Sequence, residues 1–332
     1  MWMYELGNEK DIVISTRVRI ARNLKNIKFP FVMDNNEVNF VKEKVKKVIE
    51  NNNEYKYFEL SDIDELTKLS LVEKHIISKD LIKNDNKSAL IMSDDLSTSI
   101  MINEEDHIRI QKMCSGLDIE KCSKEAYEID KMFESSLEYA YSDKYGYLTT
   151  CPTNVGAAMR ISVMLHLPAL TEINYIDKLI QEANRLGISI RGMYGENTQS
   201  LGDIYQISNQ NILGISEKDV IYKIKQIINN IIDKERKYRK LLLEQNTKLE
   251  DDIYRSYGIL KYARSITASE AYTLISNVKL GVNLNIIKDV TLETLNKISV
   301  DINPYTLQLI NKKYMEEDER DRVRAKYIRE VI

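Results

Sequence analysis

Glycine and proline are scarce, with 11 Gly and 4 Pro in 332 residues, against an ordinary combined share of about 12%. A chain so poor in breakers is neither collagen-like, linker-rich nor low-complexity, and it is a poor candidate for a many-turned β-sandwich. Cysteine is thin as well. Three residues (Cys114, Cys122, Cys151), an odd number without CxxC spacing, support neither a disulfide framework nor a zinc site. No apolar run approaches the ~18 residues of a membrane span, and Met1 to Lys10 lacks the basic and apolar regions of a signal peptide. The expectation is a cytoplasmic protein that does not contact a membrane. An excess of one charge is also missing: 48 basic and 51 acidic residues leave −3, which gives no ground for direct nucleic-acid binding.

What is present is enough apolar mass for a core, 43% of residues, and a length that suggests about two domains. The few breakers are unevenly placed: nine of the fifteen (Gly146, Pro152, Gly156, Pro168, Gly187, Gly192, Gly195, Gly202, Gly214) fall within residues 146–214, so tight turns and close backbone approach are needed there. Residues 11–20 alternate, with Ile12, Ile14, Val18 and Ile20 on one face and Ser15, Arg17 and Arg19 on the other, as in a strand with one buried face. Residues 160–167 alternate in the same way. Val38 to Ile49 reads as an amphipathic helix and residues 88–102 as a hairpin around Asp94-Asp95. Thr171 to Leu186 reads as one helix closed by Gly187, followed by two strand-like runs, ISIRG and DIYQISN. From Ser216 the texture turns helical. Ser216 with Asp219 and Thr267 with Glu270 are capping-box signals, and short helices are expected near 291–299 and 304–315. The reading is an α+β domain over residues 1–240, of mixed or mostly antiparallel sheet flanked by helices, then a small all-helical domain over 241–332.

Arginines carry the first chemical signal. Arg17 and Arg19 share a strand face. Arg109 follows the acidic run Asn103-Glu104-Glu105-Asp106-His107, Arg160 opens a strand, and Arg191 ends one just before Gly192. Arginine forks bind phosphate oxygens in pairs, so five of them at strand ends suit a polyphosphate clamp, although any one alone is more often a solvated or ion-paired strand residue. No GxxxxGK[ST] or GxGxxG loop is present; a bound triphosphate would rest on side chains.

The runs DIVISTRVRIARNL, LVEKHIIS, NEEDHIRIQ, CPTNVGAAMRISVMLHLPAL and RGMYGENTQSLGDIYQISNQNILG resemble, in order, the successive motifs of the ATP:guanidino phosphotransferases, the family of the creatine and arginine kinases. Within it the chain is most similar to the bacterial kinases that act on protein arginine. About ten residues precede DIVIS, where the small-metabolite kinases carry a helical domain of about a hundred, and a helical C-terminal region contains Arg320-Asp321-Arg322-Val323-Arg324-Ala325. A phosphagen-kinase-like fold is implied. The resemblance assigns ATP contacts to Ser15, Thr16, Arg17, Val18, Arg19, His75, Arg109, Arg160, Ile161, Ser162, Val163, Met164, Arg191, Gly192, Met193, Tyr194, Gly195 and Glu196. It assigns the guanidinium-holding carboxylates to Glu105 and Glu196 and the reactive cysteine to Cys151. The segment Ala157-Ala158-Met159 departs from the family, whose members often have Gly-Thr followed by a larger apolar residue.

These roles make chemical sense. Phosphoryl transfer needs positioning and charge neutralisation more than covalent help, and arginines with Mg²⁺ on the ATP phosphates supply both. The acceptor is the harder problem, because a guanidinium of pKa above about 12 is a poor nucleophile until a proton leaves. Glu105 is assigned as the base, with Glu196 orienting the planar group and Cys151 adding thiolate charge beside it. Within the acidic run, His107 orders the loop while Glu104 and Asp106 are solvated or structural; His166 packs or hydrogen-bonds on the polar strand face, and Cys114 and Cys122 are incidental. In the C-terminal region Arg320 and Arg324 lie one turn apart, and the resemblance makes residues 320–325 an allosteric phosphoarginine site near a homodimer interface, where the spacing alone also fits a solvated charged helix. It further implies a zinc-binding activator, the ClpC unfoldase and a heat-shock repressor as partners, beside protein substrates with exposed arginine. Three functions follow for test: a protein arginine kinase serving Clp-type degradation and the stress response, a small-guanidino phosphagen kinase, or an inactive phosphoarginine-binding adaptor.

Overall fold

The alternating segment becomes the centre of a sheet. The computed structural model of the protein describes residues 1–193, 200–210, 216–245 and 248–332. Ten strands are present among them: β1 (Val13–Arg22), β2 (Tyr55–Glu59), β3 (Ala89–Ser93), β4 (Thr98–Ile102), β5 (Ile108–Ser115), β6 (Tyr141–Ser142), β7 (Gly146–Tyr147), β8 (Met159–His166), β9 (Ile188–Gly192) and β10 (Ile204–Asn209). β6 and β7 form a separate small hairpin; the other eight make one sheet in the order β2-β3-β4-β5-β1-β8-β10-β9, with every adjacent pair antiparallel. The helices are α1 (Asn35–Ile49), α2 (Glu65–Glu73), α3 (Lys79–Lys83), α4 (Ile119–Glu134), α5 (Pro168–Glu172), α6 (Ile176–Arg185), α7 (Glu217–Gln245), α8 (Leu249–Tyr262), α9 (Ala268–Asn283), α10 (Leu292–Asp301), α11 (Pro304–Asn311) and α12 (Glu317–Val331). The α+β architecture, the mostly antiparallel sheet and the 88–102 hairpin agree with the sequence reading.

One face of the sheet is the main core. Val18, Ile20, Ile110, Ile161 and Val163 pack there against Val41 and Val45 of α1, Ala126 and Phe133 of α4, Leu179 of α6 and Ile224 and Ile228 of α7, and each large apolar side chain so buried contributes roughly 1.5–3 kcal/mol. α8 to α12 enclose a second core containing Ile253, Leu260, Ile275, Val278, Leu295, Ile298 and Ile328. The expected helix from Thr171 to Leu186 is two. Asn174 adopts a left-handed conformation (φ 56°), which asparagine tolerates better than most residues, and it separates α5 from α6.

The second sheet face is polar and partly roofed by the C-terminal helices. Met164 and Ile204 meet Tyr272 of α9, while the Glu73 carboxylate at the end of α2 accepts from the Tyr305 and Thr306 amides (3.0 and 2.8 Å) and so caps α11. Ser70 Oγ and Thr306 Oγ1 lie 3.1 Å apart across the same junction.

Candidate active site

Antiparallel register, rather than proximity in sequence, assembles the arginines. Arg19 of β1 stands opposite Arg160 of β8, Arg109 of β5 stands opposite Ala21, and Arg191 of β9 is paired through Gln206 of β10. With side chains alternating along each strand, Arg17, Arg19, Arg109, Arg160 and Arg191 all project from the polar face. They sense one another. Burial first, then Arg109 and Arg160, brings the Arg17 guanidinium down to about 10. Burial and the charges of Arg17, Arg109 and Arg160 take Arg19 well below its ordinary value. Arg160 is lowered by burial, Arg191 and Arg109. Partners are few: Arg17 Nη2 donates to Gln206 Oε1 at 2.6 Å, Arg160 Nη2 to Ser208 Oγ at 3.0 Å and Arg191 Nε to Ser189 Oγ at 3.2 Å. Among the described residues, the Nε groups of Arg17, Arg19 and Arg160 have no acceptor although they are buried. Half-buried cations crowded together, with idle donors, form a site for a polyanion.

The acidic loop between β4 and β5 sits at the edge of this cluster. Glu104 is buried and holds Arg109 in a close ion pair, with the Ser78 hydroxyl also donating to it; Glu105, its side chain 37% exposed, lies 3.9 Å from the same guanidinium. Partial burial pushes the Glu105 carboxyl up; Arg109 opposes this, and Asp106 and Glu104 add to it. Asp106 is buried and accepts at Oδ1 from Asn23 Nδ2 (2.7 Å) and the Thr150 amide (2.8 Å). That second bond brings the segment of Cys151 beside the segment of Glu105. The thiol lies 3.0 Å from Thr153 Oγ1. Behind the loop, His107 takes the Leu24 amide at Nδ1 (2.9 Å) and sits 2.7 Å from the Lys28 carbonyl at Nε2, so it orders the loop as expected. Gly146 lets the Cys151 segment close, since a Cβ there would stand 2.6 Å from the Gly156 carbonyl oxygen.

A cavity of about 790 Å³ opens over Arg17, Arg19 and Arg109, walled by His75, Ser78 and Gln111 and, from the C-terminal helices, Tyr272, Asn303 and Tyr305. A second of about 80 Å³ adjoins it, sharing Glu73, His75, Tyr272 and Asn303, and is lined by Ser15, Met164 and Met193. His75 has a left-handed backbone (φ 58°); burial, with Arg17 and Arg19 close by, holds its imidazole neutral down to about 3. Thr16, Val18, Ile161 and Val163 turn the other way: the last three enter the main core, and Thr16 Oγ1 donates to the Gly116 carbonyl at 2.7 Å. Ser162, on the polar face, is buried. Arg191, Gly192 and Met193 lead toward Tyr194, Gly195 and Glu196, which lie outside the described residues. The strand after Ala158 keeps Arg160 in place although Ala158 itself has a φ of 50°.

Sequence reasoning had no partner for Arg109 or Arg17. Glu104 was readable only as solvated or structural, and Gln206 needed the strand order. Nothing in the sequence pointed to Tyr272, Asn303 or Tyr305 as cavity walls. In α12 the Arg324 side chain is 1% exposed and donates to the Ile302 carbonyl (3.0 Å), the Ile266 carbonyl (2.9 Å) and Asp321, and Ala325 is in the second core. Arg322 is exposed and Val323 half-buried. Arg320 keeps a buried Nε without an acceptor among the described residues.

The sequence model of the ATP:guanido phosphotransferase C-terminal catalytic domain matches residues 37–238, and that of the protein-arginine kinase McsB C-terminal domain matches residues 246–332. A protein-arginine kinase of Brevibacillus brevis is 43% identical over 99% of this chain and 94% of its own length; one of Caldanaerobacter subterraneus is 42% identical over 97% of each. Among solved structures, a lombricine kinase shares the fold with a TM-score of 0.60, covering 74% of this chain and 70% of its own, at 24% identity.

Proposed function

The chain belongs to the ATP:guanido phosphotransferase family and is an ATP-dependent guanidino kinase, and from that premise we propose that its acceptors are arginine side chains of proteins. The observation that carries the reading is the half-buried arginine cluster, with donors idle among the described residues, beside a carboxylate of raised pKa. Arg17, Arg19, Arg109, Arg160 and Arg191 hold the triphosphate and neutralise the charge that spreads over the transferring group. The side chains on this face are mainly cationic, so Mg²⁺ would be carried by the nucleotide rather than by them and would supply further charge neutralisation. As the terminal P–O bond to the diphosphate breaks and the N–P bond forms, the acceptor guanidinium loses one proton. Glu105 takes it; a carboxylate made more basic by burial is the better acceptor. Glu196 orients the guanidinium, and the Cys151 thiolate adds negative charge beside it.

Incubation with Mg-ATP and an unfolded protein is expected to place acid-labile phosphate on arginine. Phosphate on free arginine alone would mark a small-guanidino phosphagen kinase instead. Glu105→Gln is expected to lower kcat about 10²- to 10⁴-fold without loss of ATP binding; full activity in that variant would move the base to another carboxylate.

The rest of the reading leans on family resemblance: a cytoplasmic homodimer, a zinc-binding activator, ClpC as the receiver of marked proteins, a heat-shock repressor as a client, and a phosphoarginine site in α12. In that site Arg320 is the group assigned to the ligand, because Arg324 is already committed to Asp321 and two carbonyls.

A further inference from the structure

The small cavity beside His75 contains a charge that nothing in the protein answers. Lys279 of α9 is 6% exposed and lines that cavity, and among the described residues it has no hydrogen-bonding or ion-pairing partner. Glu73 lines the same cavity, but its carboxylate accepts from the Tyr305 and Thr306 amides, and the remaining ionisable company is unhelpful. Lys74 lines the same space, and the Lys279 charge itself helps to keep His166 neutral. Burial alone lowers its ammonium to about 8. An ammonium on a buried residue, facing a small, largely apolar cavity without a partner among the described residues, is costly and calls for a reason. A methionine or leucine would fill the position at less cost, so a partner arriving from outside supplies that reason.

The walls describe the partner. Ile14, Met113, Met164, Met193 and Ile204 give the cavity an apolar slot lined also by Tyr272, which packs on Met164 and Ile204, and the slot adjoins the arginine cavity at His75 and Asn303. If the arginines hold a triphosphate, as proposed above, the flat heterocycle joined to it has this slot as its apolar neighbour. We propose that Lys279 is a nucleobase contact: its ammonium donates a hydrogen bond to an acceptor atom on the edge of the base, and the C-terminal helical region thereby completes the nucleotide site. Lys279 lies beyond the catalytic-domain match at residues 37–238, so the nucleotide spans two parts of the chain that match separate families. Every base edge carries an acceptor, so the contact adds affinity without choosing among bases.

The test measures Mg-ATP and Mg-tripolyphosphate binding by calorimetry on the full chain. Lys279→Met keeps the apolar stem and removes the donor. It should weaken Mg-ATP by about tenfold to a hundredfold, the worth of a hydrogen bond to a charged group, leave tripolyphosphate unchanged, and unfold at the same temperature or higher. Lys279→Gln, which restores a neutral donor, should fall between. Unchanged ATP affinity in both folded variants overturns the proposal, and so does equal weakening of both ligands, which would place the lysine on the phosphates. A wild-type chain that binds neither ligand would instead sink the kinase reading on which the proposal rests.

Discussion

Two sets of arginines in this molecule, one buried and one half-buried, differ above all in what surrounds them. Arg22 is 1% exposed, and its guanidinium is filled by Asp130 Oδ2 (2.6 Å), the Ala21 carbonyl (2.9 Å) and the face of the Tyr147 ring at 3.5 Å. Arg239 is divided among Glu235 (2.7 Å) and the carbonyls of Asp11 and His166 (2.9 and 3.0 Å); Arg324 is placed likewise. Each ties segments far apart in sequence and has little left to give. Arg17, Arg19 and Arg160 have buried Nε donors with no acceptor among the described residues and are pressed against like charge. Arg17, Arg19 and Arg22 stand on a single strand. Three positions, an odd number that turns the side chain to the opposite face, separate Arg19, a group waiting for a ligand, from Arg22, one that holds the fold.

The contrast is broken most severely by removing a saturated arginine. Arg22→Met strands the Asp130 carboxylate and should cost about 3–5 kcal/mol of unfolding free energy, read from urea midpoints; Arg324→Met should behave alike. Arg19→Met should leave stability unchanged or raise it, because a repelled cation disappears, while Mg-ATP affinity falls about tenfold to a hundredfold. A stability loss matching that of Arg22→Met would erase the distinction. Arg320→Ala is milder. Stability should shift within about 0.5 kcal/mol, and only the response to added phosphoarginine should fade; an intact response returns α12 to a solvated helix. At His75 the effect is a pH dependence. Its folded value of about 3 lies below the ordinary ~6.5 of the unfolded chain, so the unfolded state binds more protons between them. Stability therefore rises with pH across that window. His75→Gln should flatten the slope measured from pH 4 to 7, and Arg19→Met should reduce it, since Arg19 is among the causes of the shift.

Strand parity made most of the polar face legible. Arg17 with Arg19, and Arg160 with Ser162, could be placed on one side from alternation alone, because a pleated strand repeats every two residues. Partners were not legible where long separation decides them. Asp130 is 108 positions from Arg22, and Gln206 is 189 from Arg17. Asn174 hides its helix break inside an otherwise helical pattern, since a single left-handed residue leaves no periodic trace. The same blindness covers Tyr272, Lys279 and Asn303: helical spacing marks a residue as inward-facing without saying what lies opposite. Arg324 shows the reverse failure, a motif whose charge suggests a ligand while its side chain is spent on backbone carbonyls.

Asp106 bears on how finely the reaction can be tuned. Its Oδ1 is the shared anchor of Asn23 at the end of β1 and of Thr150 next to Cys151, and its neighbour in sequence is Glu105. Reacting groups must be held within about 0.5 Å to be effective. Here that tolerance is delegated to a residue that touches no reacting atom, through bonds of 2.7 and 2.8 Å. Asp106→Glu, a change that keeps the charge and lengthens the arm by one methylene, would thus act like a mis-set alignment pin: every catalytic group present, and the two loops out of true.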